Sequence, residues 1–255
     1  MTSSLLNFPT DLNTYATELL KQGHTDAGIE GIHSALASLQ ARCPLFLQQS
    51  AYEHPFQHLQ QPMSQKVPTR DIQSMAYYSV PIASELASPT GGSILSDNLF
   101  TLYPRAFAIR RSHSCQFGPS KTFLVLLYNL AVAVHVKALN FLETHPETDP
   151  RPLLAVVVQL YENVTIVGQE NLVEAHDFQE MLCLLIATAN NMGHCYDALN
   201  EFPKFRESMS LTLDLLSLSS DELYPISNED MDVFLSSTLI FLESPGRDLC
   251  NAPAA

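Results

Sequence analysis

The chain has 255 residues, 46% of them apolar, which is enough to bury a sizeable core, and it carries a formal net charge of −14. The charge is unevenly placed: residues 1–121 hold eight basic and eight acidic side chains, whereas residues 122–255 hold five basic and nineteen acidic ones. An excess of carboxylates repels phosphate, so the composition speaks against nucleic acid and against a membrane surface as ligand, and it favours a protein or peptide partner that is basic or neutral.

The first predicted unit spans residues 1–47. Asp11 is placed to cap a helix whose apolar stripe runs through Leu12, Tyr15, Ala16, Leu19 and Leu20, and Gly23 ends it. Gly28, Ile29, Ile32, Ala35, Leu36 and Leu39 then mark a second amphipathic helix, stopped by Pro44. Residues 48–120 read differently. Pro55, Pro62, Pro68, Pro81, Pro89, Gly91 and Gly92 break every candidate helix, which makes this stretch an irregular insertion. Its aromatic pieces, Met75-Ala76-Tyr77-Tyr78 and Leu99-Phe100-Thr101-Leu102-Tyr103 with Phe107 and Ile109 beyond, are too apolar for a bare linker. They are expected to pack on the helices as a short hairpin.

Helical spacing returns over residues 121–245. A helix from Thr122 to Leu142, with Ser120 as cap, is followed by a Pro-containing loop and a helix from Leu153 to Val167. A third helix is expected from about Ala175 through Gly193. Phe205 to Met209 belong to a fourth. Ser227-Asn228-Glu229-Asp230 opens a last, capping helix, with Met231, Phe234, Leu235, Thr238, Leu239 and Leu242 as its expected buried stripe. Residues 246–255 form a tail.

Within this pattern Ala189-Asn190-Asn191-Met192-Gly193-His194-Cys195-Tyr196 resembles the first helix of a tetratricopeptide-like (TPR-like) repeat, with Ala189, Met192, Gly193 and Tyr196 in the places of W-x2-L-G-x2-Y. Leu127, Leu130, Ala131 and Val134 repeat the pattern 62 residues earlier, and Leu12, Tyr15, Ala16 and Leu19 give it again near the start. The wording of the second half, with Tyr128-Asn129-Leu130-Ala131 and Gln159-Leu160-Tyr161-Glu162, is also similar to a set of helical-repeat proteins of diatoms that carry no established activity. The resemblance implies an all-α, right-handed superhelix of TPR-like hairpins interrupted by a long irregular insertion. It implies too that one face of the inner helices lines a groove. On those faces Tyr128, Asn129 and His135 precede Asn190, His194 and Asp197, and an asparagine amide can bracket the backbone of an extended peptide with one donor and one acceptor. Asn129 and Asn191 match two asparagine places of the carboxylate-binding members, but the companion lysines are missing.

Motifs for catalysis are weak. Gly118-Pro119-Ser120-Lys121-Thr122 lacks the spacing of a phosphate loop, and His176, Cys183, His194 and Cys195 lack metal-ligand spacing. No cofactor is expected. The five cysteines are odd in number without a C-x-x-C pair, and no segment reads as a secretory signal, so the expected location is the cytoplasm or nucleus. The sequence therefore predicts a non-catalytic interaction scaffold. Two alternatives stand beside it: a hydrolase-like enzyme using His135 or His194 with a carboxylate between insertion and array, and a structural role in which the Tyr77-Tyr78 and Phe100–Tyr103 pieces fill the groove themselves.

Overall fold

Prolines open two helices of this molecule where the sequence suggested the polar caps Asp11 and Ser120. The computed structural model describes residues 8–43, 76–83, 101–110, 118–172, 175–219 and 226–243. Helix α1 (Pro9–Lys21) starts on its proline with Phe8 before it, so Asp11 lies inside the first turn and does not cap. Helix α3 (Pro119–Thr144) likewise starts ahead of Ser120, after Gly118 at φ +66°, and α4 (Arg151–Asn171) has its proline in the first turn. A missing N–H costs nothing in a first turn, whose amides have no carbonyl to meet. Ser227 does cap: its Oγ accepts the Asp230 amide at 3.1 Å at the start of α8 (Asn228–Glu243).

The remaining elements are α2 (Thr25–Arg42), strand β1 (Tyr77–Pro81), strand β2 (Arg105–Ile109), a short α5 (Ala175–Glu180), α6 (Leu182–Ala198) and α7 (Phe202–Ser219). The continuous helix expected from Ala175 through Gly193 is thus broken at buried Met181. Lys121, the lysine of the would-be phosphate loop, pairs with Asp177 at 2.7 Å and with Glu180, tying α5 to the start of α3. The described chain is mostly helical, and its sheet has only two strands.

Packing follows chain order. α1 packs on α2, α2 on α3, α3 on α4, α4 on α6, α6 on α7, and α7 on α8, while α1 also meets α3 and α3 meets α6. The junctions after α1 and after α6 are tight turns. Gly23 takes φ +83° after α1, and Asn200 takes φ +58° after α6, the left-handed conformation that closes a helix end. Helix α3 sits at the centre and is buried almost all round, with Leu124, Val125, Leu126, Ala131, Val132, Ala133 and Val136 inaccessible or nearly so. At 26 residues it is long and apolar enough to cross a membrane, but 78% of its most apolar window is covered by the rest of the protein. Its hydrophobicity faces neighbouring helices and the sheet.

Two expected stripes hold only in part, with Ala16 and Leu20 in α1 and Phe234 and Thr238 in α8 buried as expected. In α1 the buried residues are Pro9, Thr10, Asn13, Ala16, Thr17 and Leu20, while Tyr15 is 50% exposed. In α8 they are Asp230, Phe234, Ser237 and Thr238, while Leu235, Leu239 and Leu242 face outward. Both helices bury a polar edge, because what they meet there is backbone from the insertion as well as apolar side chains. The predicted stripe of α2 holds, with Gly28, Ile32, Ala35 and Leu39 buried.

The α1–α2 contact sets a measurable constraint. A Cβ on Gly31 would stand 2.9 Å from the Ala16 Cβ and 3.4 Å from its Cα, groups with no rotamer to yield, whereas one on Gly168 would meet only the movable end of Leu185 at 3.2 Å. Gly31→Ala is expected to lower stability by about 1–2 kcal/mol despite the better helix propensity of alanine, as overpacking outweighs it. Gly168→Ala is expected to be neutral or slightly stabilising. Chemical denaturation of the two variants checks the order, and equal midpoints would contradict the tight α1–α2 approach.

Candidate functional site

Strand β2 carries two edges, and each meets a different partner. In the antiparallel register Tyr77 faces Ile109, Ser79 faces Phe107 and Pro81 faces Arg105. The Ile82 amide bonds to the Pro104 carbonyl and the Arg110 amide to the Ala76 carbonyl, so the even-numbered residues of this segment turn their backbone toward β1. Since backbone groups alternate sides along a strand, residues 101, 103, 107 and 109 turn theirs the other way, into the helices. Buried there, unpaired amides would cost about 1–3 kcal/mol each.

Side chains of α1, α3 and α6 satisfy them. Asn191 accepts the Tyr103 N–H at 2.9 Å and donates to the Tyr103 carbonyl at 3.1 Å. Asn129 does the same at Phe107, accepting its N–H at 2.7 Å and donating to its carbonyl at 2.8 Å. Asn13 adds a second donor to that carbonyl at 2.9 Å and accepts from Asn129 at 2.8 Å. Asn190 donates to the Thr101 carbonyl at 3.1 Å, as does Ser237 of α8, and the Thr14 hydroxyl reaches the Ile109 carbonyl at 3.3 Å. A side-chain amide offers the same donor and acceptor as a neighbouring strand. The asparagines therefore act as a third strand made of side chains, with the segment running from α6 across α3 to α1.

The strand's side chains are held as firmly as its backbone. The Tyr103 ring stacks on Phe234 at 4.7 Å and its hydroxyl donates to Asp230 at 2.8 Å. Phe107 meets Tyr77 edge-on at 5.2 Å and Tyr128 at 5.1 Å. Between them Arg105 places Nε 3.1 Å from Asp230 and Nη1 3.1 Å from Glu229. Asp230 also accepts from the Ser79 and Ser227 hydroxyls, so this buried carboxylate is surrounded by donors. Tyr103 and Phe107 are 0% and 1% exposed.

The six residues expected to line a groove divide accordingly. Tyr128 and Asn129 do meet an extended segment, but it is the chain's own. Asn190 is fully buried beneath Thr101, and Asp197 is buried at the far end of α6, so these two do not line an open surface, while His194 between them is partly exposed. His135 points elsewhere, into a buried pocket where its Nδ1 lies 3.4 Å from the Tyr161 hydroxyl and its Nε2 lies 3.5 Å from the Cys195 Sγ, with the His194 ring at 5.0 Å. Burial pulls both imidazoles toward their neutral forms: His135 is lowered well below its ordinary value, with His194 adding to the effect, and His194 is lowered to about 4. Burial also pushes the Cys195 thiol well up. A neutral thiol beside a neutral imidazole is the opposite of the ion pair that nucleophilic catalysis needs. Among the described residues, no group of three or more His, Cys, Asp or Glu side chains is arranged to hold a metal ion.

Sequence reasoning passed over Asn13, Arg105, Asp230 and Ser237 as contact residues, and noted Asn191 only as a match to an asparagine place of the carboxylate-binding members. A signal for the central pair was present: Asn129-Leu130-Ala131 and Asn191-Met192-Gly193 each put asparagine directly before the branched and small residues of the helix pattern. Compared with family models, curated proteins and solved structures, the chain gives no match.

Two outcomes follow. Asn129→Ala should cost about 2–4 kcal/mol in denaturation, because it strands the Phe107 N–H, leaves the Phe107 carbonyl with Asn13 alone and removes the donor to the Asn13 oxygen, and Asn129→Asp should cost at least as much, since a carboxylate meets the Phe107 carbonyl. The same denaturation midpoint for either variant and the parent would contradict the bracket. The histidines set an acid limit. Their folded pKa values lie below the ordinary 6.5, so the unfolded chain binds more protons, and stability falls as pH drops from about 6.5 towards 4. His194→Gln should remove up to about a tenfold change per pH unit in the unfolding equilibrium across that window. An unchanged pH slope would mean that His194 is not buried in its neutral form.

Proposed function

We propose that this chain is a protein-recognition scaffold of TPR-like helical hairpins, in which asparagines on α1, α3 and α6 read the backbone of an extended segment. The chain's own β2 holds that position until a partner's segment takes it. The observation that carries the reading is the paired bracketing of Tyr103 and Phe107 by Asn191 and Asn129. Such contacts recognise any extended backbone, because they touch only groups every residue has. The sequential packing of α1 to α4, α6 and α7, with α1 and α3 against β2 and α6 against the segment before it, supports the repeat-like arrangement. The repeat motifs in these helices agree with it. The negative charge of residues 122–255 supports a basic or neutral partner.

A second reading is favoured by the burial of Tyr103 and Phe107: β2 stays in place permanently and serves as core, leaving the site closed. Displacement separates the two. Phe107→Ala weakens the strand without touching the asparagines. The variant chain, checked for retained helix by circular dichroism, is expected to bind peptides from an immobilised random library that the parent chain ignores, and adding Asn129→Ala and Asn191→Ala should abolish the gain. Tyr103→Ala serves as the second variant. Folded variants that capture no peptide would establish permanent closure and contradict the scaffold reading.

A further inference from the structure

We infer that the partner segment displacing β2 carries an aromatic–x–Arg–x–aromatic motif in extended conformation, the pattern of Tyr103-Pro104-Arg105-Ala106-Phe107; this rests on the scaffold reading above. The asparagines supply affinity for any backbone, so selectivity has to come from side chains. Residues 103, 105 and 107 share one face of the strand. That face meets three separate recognition elements.

The first element is the stack of Tyr103 on Phe234, with Asp230 accepting the hydroxyl at 2.8 Å. An aromatic residue fills it, and a tyrosine satisfies the carboxylate as well. The second is the pair of carboxylates Asp230 and Glu229, which Arg105 spans with Nε and Nη1, each at 3.1 Å. A planar guanidinium can address two carboxylates from two nitrogens, whereas a lysine brings one point charge. Without the arginine, Asp230 would remain a buried carboxylate short of its positive partner, which penalises segments that lack one. The third element is the aromatic enclosure of Phe107 by Tyr77 and Tyr128. Here Tyr77 comes from β1, so β1 remains in place and pairs with the incoming strand on its other edge. Small residues fit between and after these positions, as Ala106 and Ala108 are buried. The position between the first aromatic and the arginine is proline, Pro104, in the chain's own segment.

The competition is intramolecular. A tethered strand is present at a high effective concentration, so a free segment binds the native chain with an affinity reduced by the small fraction of time the site stands open. Charge reversal at the centre of the motif lifts that competition, because a glutamate at position 105 faces Asp230 and Glu229.

The test uses the full chain carrying Arg105→Glu and a fluorescent synthetic peptide with the sequence of residues 101–110, read by polarisation. The peptide should bind the variant at least about tenfold more tightly than it binds the parent chain. Peptides carrying Arg105→Glu, or Tyr103→Ala with Phe107→Ala, should bind at least about tenfold more weakly than the native peptide. Equal binding of all three peptides would overturn the motif and leave the scaffold reading standing. If the amides of residues 101–110 exchange freely in the variant and neither these peptides nor the random library bind, the scaffold reading falls together with the motif. Should Arg105→Glu leave those amides protected, the Tyr103→Ala/Phe107→Ala chain enters the same assay, with the same outcomes deciding.

Discussion

The arrangement depends on one constraint: an extended segment lies in the interior, and the polar groups on one of its edges have no strand to pair with. A backbone N–H or C=O cannot be buried unmatched without losing a substantial part of a domain's net stability. The molecule resolves this with asparagine amides projecting from helices. Asn129 and Asn191 each replace one residue of a missing strand, and Asn13 links α1 to the same carbonyl as Asn129. The polar residues at the centre of the helical layer thereby become structural, and they fix the register of β2 in a way apolar contacts alone would not.

From that constraint the position of α8 follows. This helix makes its main attachments to the segment leading into β2 as well as to α6 and α7: Phe234 stacks on Tyr103, Ser237 donates to the Thr101 carbonyl, and Asp230 gathers Tyr103, Ser79 and Arg105. The segment is held between α6 and α8. This accounts for the polar buried edge of α8 and for the outward turn of Leu235, Leu239 and Leu242. The Arg105–Asp230 pair is well suited to define this arrangement, since a buried carboxylate tolerates few other surroundings.

The helices were legible in the sequence because their apolar periodicity is strong and their breaks are marked by Gly23, Pro44 and the prolines near Pro150. The insertion's aromatic pieces were legible as packed chain, since Tyr77, Tyr103 and Phe107 have no place in a solvated linker. The polar edge of the buried faces of α1 and α8 was not, because hydrophobic pattern assigns Asn13 and Asp230 to the surface, whereas the pairing with residues distant in sequence buries them. The same long-range effect hid the place of Asn190, which looks like an open-groove residue until Thr101 is laid over it. His135 and Cys195 show the limit from the other direction, as chemically suggestive side chains that burial holds neutral.

The account's central claim is that asparagines of the helices, and not β1 alone, hold the backbone of β2. Amide hydrogen exchange of the intact chain, resolved to single residues, tests it most directly. The account predicts that the Tyr103 and Phe107 amides exchange as slowly as those in the middle of α3, and that Asn129→Ala releases Phe107 while Tyr103, held by Asn191, stays protected. Rapid exchange at both amides in the native chain, or protection of Phe107 that survives Asn129→Ala unchanged, would contradict it.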